Sequence, residues 1–212
     1  MTHEEVYKEI ERDREAYSRW WKHQLLDMKR PMLKRTTFPL YVWREYTSPR
    51  RNKYLFFTRV FDKRMKAILT GIIALRQNSD GLTIYTTWTD RQKLISPMVI
   101  IPHVWKRYAE RACVDKKGID LVKHYFMKNP FGKDSHNQMV VGRSVRYNGE
   151  DHIANCVTDG ILLGQKQGEI LIAKTFITYD MCCGRQQQEF DACKAKILTD
   201  RELYDEVRRF YV

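Results

Sequence analysis

A chain of 212 residues that is 43% hydrophobic and 12% aromatic has enough apolar material to fill a core, which excludes general disorder. Thirty-eight basic residues against 26 acidic ones give a formal charge of +12. An excess of that size favours a polyanionic partner, because neutralising phosphates releases counterions. No apolar run approaches the ~18 residues of a membrane span, and the opening MTHEEVYKEIERDRE is too charged for a signal peptide. A cytoplasmic protein with no membrane contact is expected.

The five cysteines, Cys113, Cys156, Cys182, Cys183 and Cys193, form no CxxC pair. The adjacent Cys182-Cys183 suits neither a structural disulfide nor a tetrahedral zinc site, and the set as a whole fits a reducing interior. His124, His136 and His152 are scattered, His152 with Cys156 makes half a metal site, and GxxxxGK[ST], GxGxxG and HExxH are all missing. No metal and no cofactor is expected. A nuclease activity would then need 2′-OH attack on RNA with acid–base residues.

In chain order, Thr2 to about Lys34 reads as one long helix. Thr2 with Glu5 makes a capping box, and Val6, Ile10, Tyr17, Trp21, Leu25 and Met28 recur at helical spacing. Pro31 kinks or ends it, Trp20 and Trp21 are expected as buried anchors, and ERDRE (residues 11–15) as a solvated face. From Phe38 to about Pro102 the pattern is that of a β-meander: Leu40–Trp43, a turn at residues 48–53, Tyr54–Thr58, and Leu82–Thr87 after Asn78-Ser79-Asp80-Gly81. Residues 67–76 read as helix or strand, with Gly71 and the β-branched residues favouring strand. A short strand, Met98–Ile101, follows Pro97.

Two central helices come next, the first over HVWKRYAERA and the second carrying Ile119, Val122, Tyr125 and Phe126, with Asp115 as candidate N-cap and Asn129-Pro130 as the stop. Met139–Tyr147, Ile153–Thr158, Ile161–Gly164 and Ile170–Ile177 then read as four antiparallel strands. Asn148-Gly149, Asp159-Gly160 and Gln167-Gly168 separate them, and such dipeptides suit hairpin turns that need positive φ. Gln186–Ile197 and the segment after the Thr199/Glu202 capping box return to helix.

On the first central helix, His103, Arg107, Glu110 and Arg111 fall on one side at about 100° per residue, while Val104, Tyr108 and Ala112 face inward. A histidine titrates nearest neutrality and is the usual proton shuttle, and guanidinium groups hold phosphate in bidentate fashion. The alternative for the histidine is a surface or capping role, and for the arginines pairing with Glu110 or with the acidic N-terminal helix. Lys174, in the apolar strand ILIAKTFIT, is costly to bury unpaired, so it emerges at an edge or serves a site. Period-2 alternation sets it with Ile170, Ile172 and Phe176, and sets Thr175 on the other face. Arg143 and Arg146 add to a basic surface, and Asp159 is most simply turn chemistry.

The strand, the H-x3-R-x3-R helix (His103, Arg107, Arg111), the helix ending in Asn129-Pro130 and the meander closing on Lys174-Thr175-Phe176 together resemble the barnase–EndoU–colicin–RelE-like superfamily, in its mobile-element and phage branch. The resemblance covers about Ser96 to Thr178. It implies an RNA-binding cleft between helix and sheet and metal-independent RNA cleavage. His103 would be the general acid or base, Arg107, Arg111 and Lys174 would contact the scissile phosphate, and Arg143, Arg146 and Thr175 would bind nucleic acid. The long N-terminal helix, the extra meander and the C-terminal helices depart from that compact pattern, as an in-cis cap, a protein-partner layer or a dimer surface.

The expected fold is therefore α+β: a long N-terminal helix, an antiparallel β-meander, two central helices packed on a four-stranded antiparallel sheet, and C-terminal helices. The expected segments are 1–95, 96–180 and 181–212 in one compact unit. Function divides between a metal-independent endoribonuclease and a non-catalytic phage or mobile-element protein that binds nucleic acid or builds structure with the same basic surface.

Overall fold

Helix α1 spans His3–Leu33 in a computed structural model that describes residues 1–65, 68–87, 89–90, 93–94, 97–129, 146–147, 150–184 and the pairs 187–188, 190–191 and 194–195. The capping box forms as expected. Thr2 Oγ1 accepts the Glu5 N–H at 3.2 Å, and Glu5 Oε2 accepts the Thr2 N–H at 2.7 Å, so two donors of the first turn are satisfied. Val6, Ile10, Tyr17, Trp21, Met28 and Met32 lie buried along one side. Pro31 sits in the last turn, where the chain leaves the helix two residues later.

The chain divides into two units, one of Met1–Gln77 with Ile84–Pro97 and one of Asn78–Thr83 with Met98–Val212. In the first unit, β1 (Leu40–Thr47), β2 (Lys53–Val60), β3 (Ile68–Asn78) and β4 (Gly81–Thr87, whose first three residues belong to the second unit) follow in that order. A small hairpin pairs β5 (Thr89–Asp90) with β6 (Lys93–Leu94). Residues 68–76 are strand, paired with β2 from Lys53↔Leu75 to Val60↔Ile68. β2 is buried at every position after Lys53, which its Tyr-Leu-Phe-Phe run allows on both faces. Tyr54 and Phe56 meet α1 through Tyr17, Trp20 and Trp21, with Trp21 stacked on Phe56 at 4.8 Å, whereas Phe57 packs against Tyr41 and Trp43.

One residue of the expected solvated face is the most buried carboxylate in the unit. Asp13 has 0% exposure and accepts from Asn52 Nδ2 at 2.7 Å, Tyr54 OH at 2.9 Å and Arg50 Nη1 at 3.0 Å. It fastens α1 to the β1–β2 turn. That turn is closed by Arg51 N–H to the Ser48 carbonyl (2.8 Å) with Arg51 at φ 64°.

The second unit overturns the expected central architecture. Its strands are β7 (Met98–Ile100), β8 (Arg146–Tyr147), β9 (Glu150–Val157), β10 (Gly160–Gln167) and β11 (Ile170–Ile177), in the spatial order β7-β11-β10-β9-β8. β7 runs parallel to β11, with Leu171↔Met98 to Ala173↔Ile100. These five strands are thus a mixed set with a parallel pair, not a four-stranded antiparallel meander. Parallel strands cannot be joined by a hairpin, and the chain leaving β7 enters α2 (Pro102–Arg111) and α3 (Gly118–Lys128) before it returns. The β9–β10 and β10–β11 hairpins form, but each turn lies one residue off the expected dipeptide, at Thr158-Asp159 and Gly168-Glu169; Gly168 has φ 59°, whereas Gly160 already pairs with Val157 as the first residue of β10. Most of the run 139–147 and of the expected C-terminal helices lies outside the described residues, although Gln187, Gln188, Phe190, Asp191, Lys194 and Ala195 are helical; a 3-10 turn spans Tyr179–Met181. The N-cap of α3 is Lys117, not Asp115, and Gly118 enters the helix at φ 55°.

Candidate nucleic-acid interface on the second helix

Helix α2 starts where β7 ends. Pro102 occupies its first turn, where a missing N–H costs nothing, and Ile101 N–H reaches the Ala173 carbonyl of β11 at 3.4 Å. Val104, Trp105 and Tyr108 are buried. The Tyr108 ring meets Phe176 of β11 and Tyr125 of α3, each edge-on at 5.0 Å. With that side fixed inward, the His103–Arg107–Glu110–Arg111 row faces out.

The row is a chain of contacts. Arg107 Nε donates to His103 Nε2 at 3.3 Å, and Arg107 Nη1 donates to Glu110 Oε2 at 3.0 Å. Arg107 thus links the histidine and the glutamate of its own helix face. His103 and Glu110 are exposed, and the Arg107 side chain is 39% exposed. Arg111 is spent differently. Its Nη1 donates to the Phe176 carbonyl, tying the last turn of α2 to the end of β11.

Lys174 does not follow the simple alternation. Leu163 pairs with Thr175 and Gly164 with Ala173, so Lys174 is an extra residue, a β-bulge. Gly164 lies opposite because a Cβ there would come within 1.8 Å of the Ile172 carbonyl oxygen. The bulge leaves Lys174 exposed, with its ammonium donating to Gln165 Oε1. On β10, Leu162 shares the face of Phe176 and hence of α2. Leu163 lies on the other face, packed against Cys156, Ile161, Tyr179 and Cys182. Gln165 falls on that second face as well. The register thus sets Lys174's partner, and Thr175, on the side of the sheet away from His103, Arg107 and Arg111. Arg143 lies outside the described residues. Arg146 is placed in β8, and its side chain lies outside the description.

A polar cluster beside the row carries no sequence motif. Tyr108 OH donates to Asp159 Oδ2 at 2.7 Å, Asn129 Nδ2 donates to the same oxygen at 3.4 Å, and the Asp159 N–H reaches Asn129 Oδ1 at 3.4 Å. Burial, and then the bond to Asp159, pushes the Tyr108 phenol well above its ordinary range. His124 of α3, its ring centroid 6.4 Å from that of Tyr108, is held below the ordinary imidazole range by burial and by Lys116 and Lys128, against an opposing pull from Asp159. A turn aspartate, a helix-stopping asparagine and an inward tyrosine each have an ordinary local explanation. Their convergence depends on tertiary packing, so sequence spacing gave no signal for it.

Among the described residues no three His, Cys, Asp or Glu side chains gather as a metal site, and no helix is long and apolar enough to cross a membrane. No family profile, curated protein or solved structure matches the chain.

Proposed function

We propose that the protein is RNA-directed and grips the phosphate backbone through the outward face of α2. The observation that carries this reading is the exposed His103–Lys106–Arg107 face, on which Arg107 pairs with side chains of its own helix. Trading a surface pair such as Arg107–Glu110, worth about 0–1 kcal/mol, for a charge-assisted bond to phosphate is a small exchange. Exposed Lys116, Lys117 and Lys128 lie in the following loop and helix, and the whole chain carries +12. The resemblance to RelE-like ribonucleases makes RNA the polyanion of choice.

Binding is favoured over cleavage. A single scissile phosphate would have to be reached by His103, Arg107, Arg111 and Lys174 together, yet Arg111 is bonded to a strand carbonyl and Lys174 reaches towards the other face of the sheet. Anisotropy of a fluorescein-labelled single-stranded RNA, titrated in EDTA across a salt series, tests the reading. Affinity should fall steeply with salt, and Lys106→Ala and Arg107→Ala should each lower the log–log slope by about one. The same RNA should emerge uncut. Cleavage that drops at least ~100-fold in His103→Ala would replace binding with catalysis.

A further inference from the structure

The last third of α1 carries a surface the RNA reading does not use. Leu26 and Leu33, each 59% exposed, are seven residues apart and so lie on the same side of the helix. Large apolar side chains this exposed are few among the described residues, and two of them form one stripe. Beside Leu26 a groove of about 320 Å3 opens, lined by Leu25, Lys22, Lys29 and Met65. Met65 is held at its rim by a tight turn. Its N–H bonds to the Asp62 carbonyl at 3.0 Å, the Arg64 N–H bonds to Asp62 Oδ1 at 2.8 Å, and Met65 itself adopts φ 52°. A methionine in such a place adapts its shape to what it meets.

Charge selects the occupant. Residues 19–35 hold six exposed cations, Arg19, Lys22, Lys29, Arg30, Lys34 and Arg35, against the one carboxylate of Asp27. Lys22, Lys29 and Arg30 fall within about 60° of the leucine stripe. We propose that this face docks an amphipathic helix of a protein partner, with apolar anchors at heptad spacing and glutamates or aspartates flanking them. An i, i+7 stripe beside a groove fits helix-in-groove recognition, and the flanking lysines choose an acidic partner over a basic one. A second copy of α1 fits badly. Antiparallel self-pairing that matched Leu26 to Leu33 would set Lys29 against Arg30 of the copy, and Arg30 against its Lys29. RNA would leave both leucines unused, and a bilayer would have no use for a concave groove.

The probe is a fluorescein-labelled peptide of about 18 residues, with leucines on one heptad face and glutamates beside them, against a scrambled peptide of the same composition. Wild-type protein should bind the first at least about tenfold more tightly than the second. Leu26→Asp with Leu33→Asp should remove that preference while the thermal midpoint holds, because both side chains are exposed. Lys22→Glu with Lys29→Glu should reject the acidic peptide and accept one with lysines in place of glutamates. Equal binding of the two acidic peptides overturns the proposal. So does binding that survives the leucine substitutions, competition by RNA at matched charge, preference for anionic vesicles over the peptide, or a dimer in sedimentation that Leu26→Asp dissolves.

Discussion

Asp13 and Asp159 perform the same mechanical task in the two units, each tying helix to β-turn, but they sit in opposite environments. Asp13 projects from α1 into the β1–β2 turn, is fully buried, and accepts from Asn52, Tyr54 and Arg50. Asp159 projects from the β9–β10 turn towards α2 and α3, is half-buried, and accepts from Tyr108 and Asn129. Burial by itself raises the Asp13 carboxyl, yet the bonds from Ser48, Asn52, Arg50 and Tyr54 together outweigh it and hold it below the ordinary carboxylate range. A buried carboxylate is tolerable only when its donors are complete, which makes the first tie all-or-none. The second can exchange a protein donor for water, which suits a site beside an exposed cationic row.

The first way to break this comparison is Asp13→Ala. It strands the buried Asn52 amide and Tyr54 hydroxyl and should lower unfolding free energy by about 3–4 kcal/mol in urea titrations. A loss no larger than that of Asp159→Ala would show that burial is not what separates them. The wild-type advantage should also depend on acid. Because the folded Asp13 pKa is depressed, the unfolded chain binds the proton more readily. The stabilisation is then complete above the unfolded value near pH ~3.9 and disappears as pH falls through the folded one. Urea midpoints of wild type and Asp13→Ala should converge as pH falls below ~4, and a constant gap would contradict the charged tie.

Asp159→Ala comes next, at about 1–2 kcal/mol, and Tyr108→Phe follows at about 1 kcal/mol because a half-exposed carboxylate recovers water. Tyr108 adds an alkaline signature. Its raised phenol stabilises the fold fully below the unfolded value near pH ~10 and loses that contribution as pH climbs towards the folded value. Tyr108→Phe should therefore close its gap to wild type above pH ~10. A gap that stays open would separate the hydroxyl from the carboxylate.

Local chemistry explains what could be read in advance. The Thr2/Glu5 box, the α1 stripe, the two hairpins of β9, β10 and β11 (though not the exact turn residues) and the outward row on α2 are all set by residues within a few positions of one another, and each appears in the structure. What could not be read depends on distant pairing. Nothing local signals that β7 pairs in parallel with β11, some seventy residues later. Asp13 looks solvated inside ERDRE because its donors come from residues 50–54. Period-2 counting put Lys174 with Phe176, and one bulge opposite Gly164 undid that inference. A phosphate site assembled from α2 and β11 depends on the strand register, which a single irregularity changes.

The smallest expected effect decides that point. Arg107→Ala and Lys174→Ala should each leave stability within about 0.5 kcal/mol, since both side chains sit at the surface. The informative quantity is their coupling in RNA affinity. If both cations held one phosphate, removing the first would change what the second is worth, and the double variant would depart from the sum by about 0.5–3 kcal/mol. With Lys174 committed to Gln165 on the far face of β10, the two losses should instead add within about 0.3–0.5 kcal/mol. Strong coupling would mean that the bulge reorganises when RNA arrives and carries Lys174 round to the α2 side, which would restore the convergence that cleavage requires.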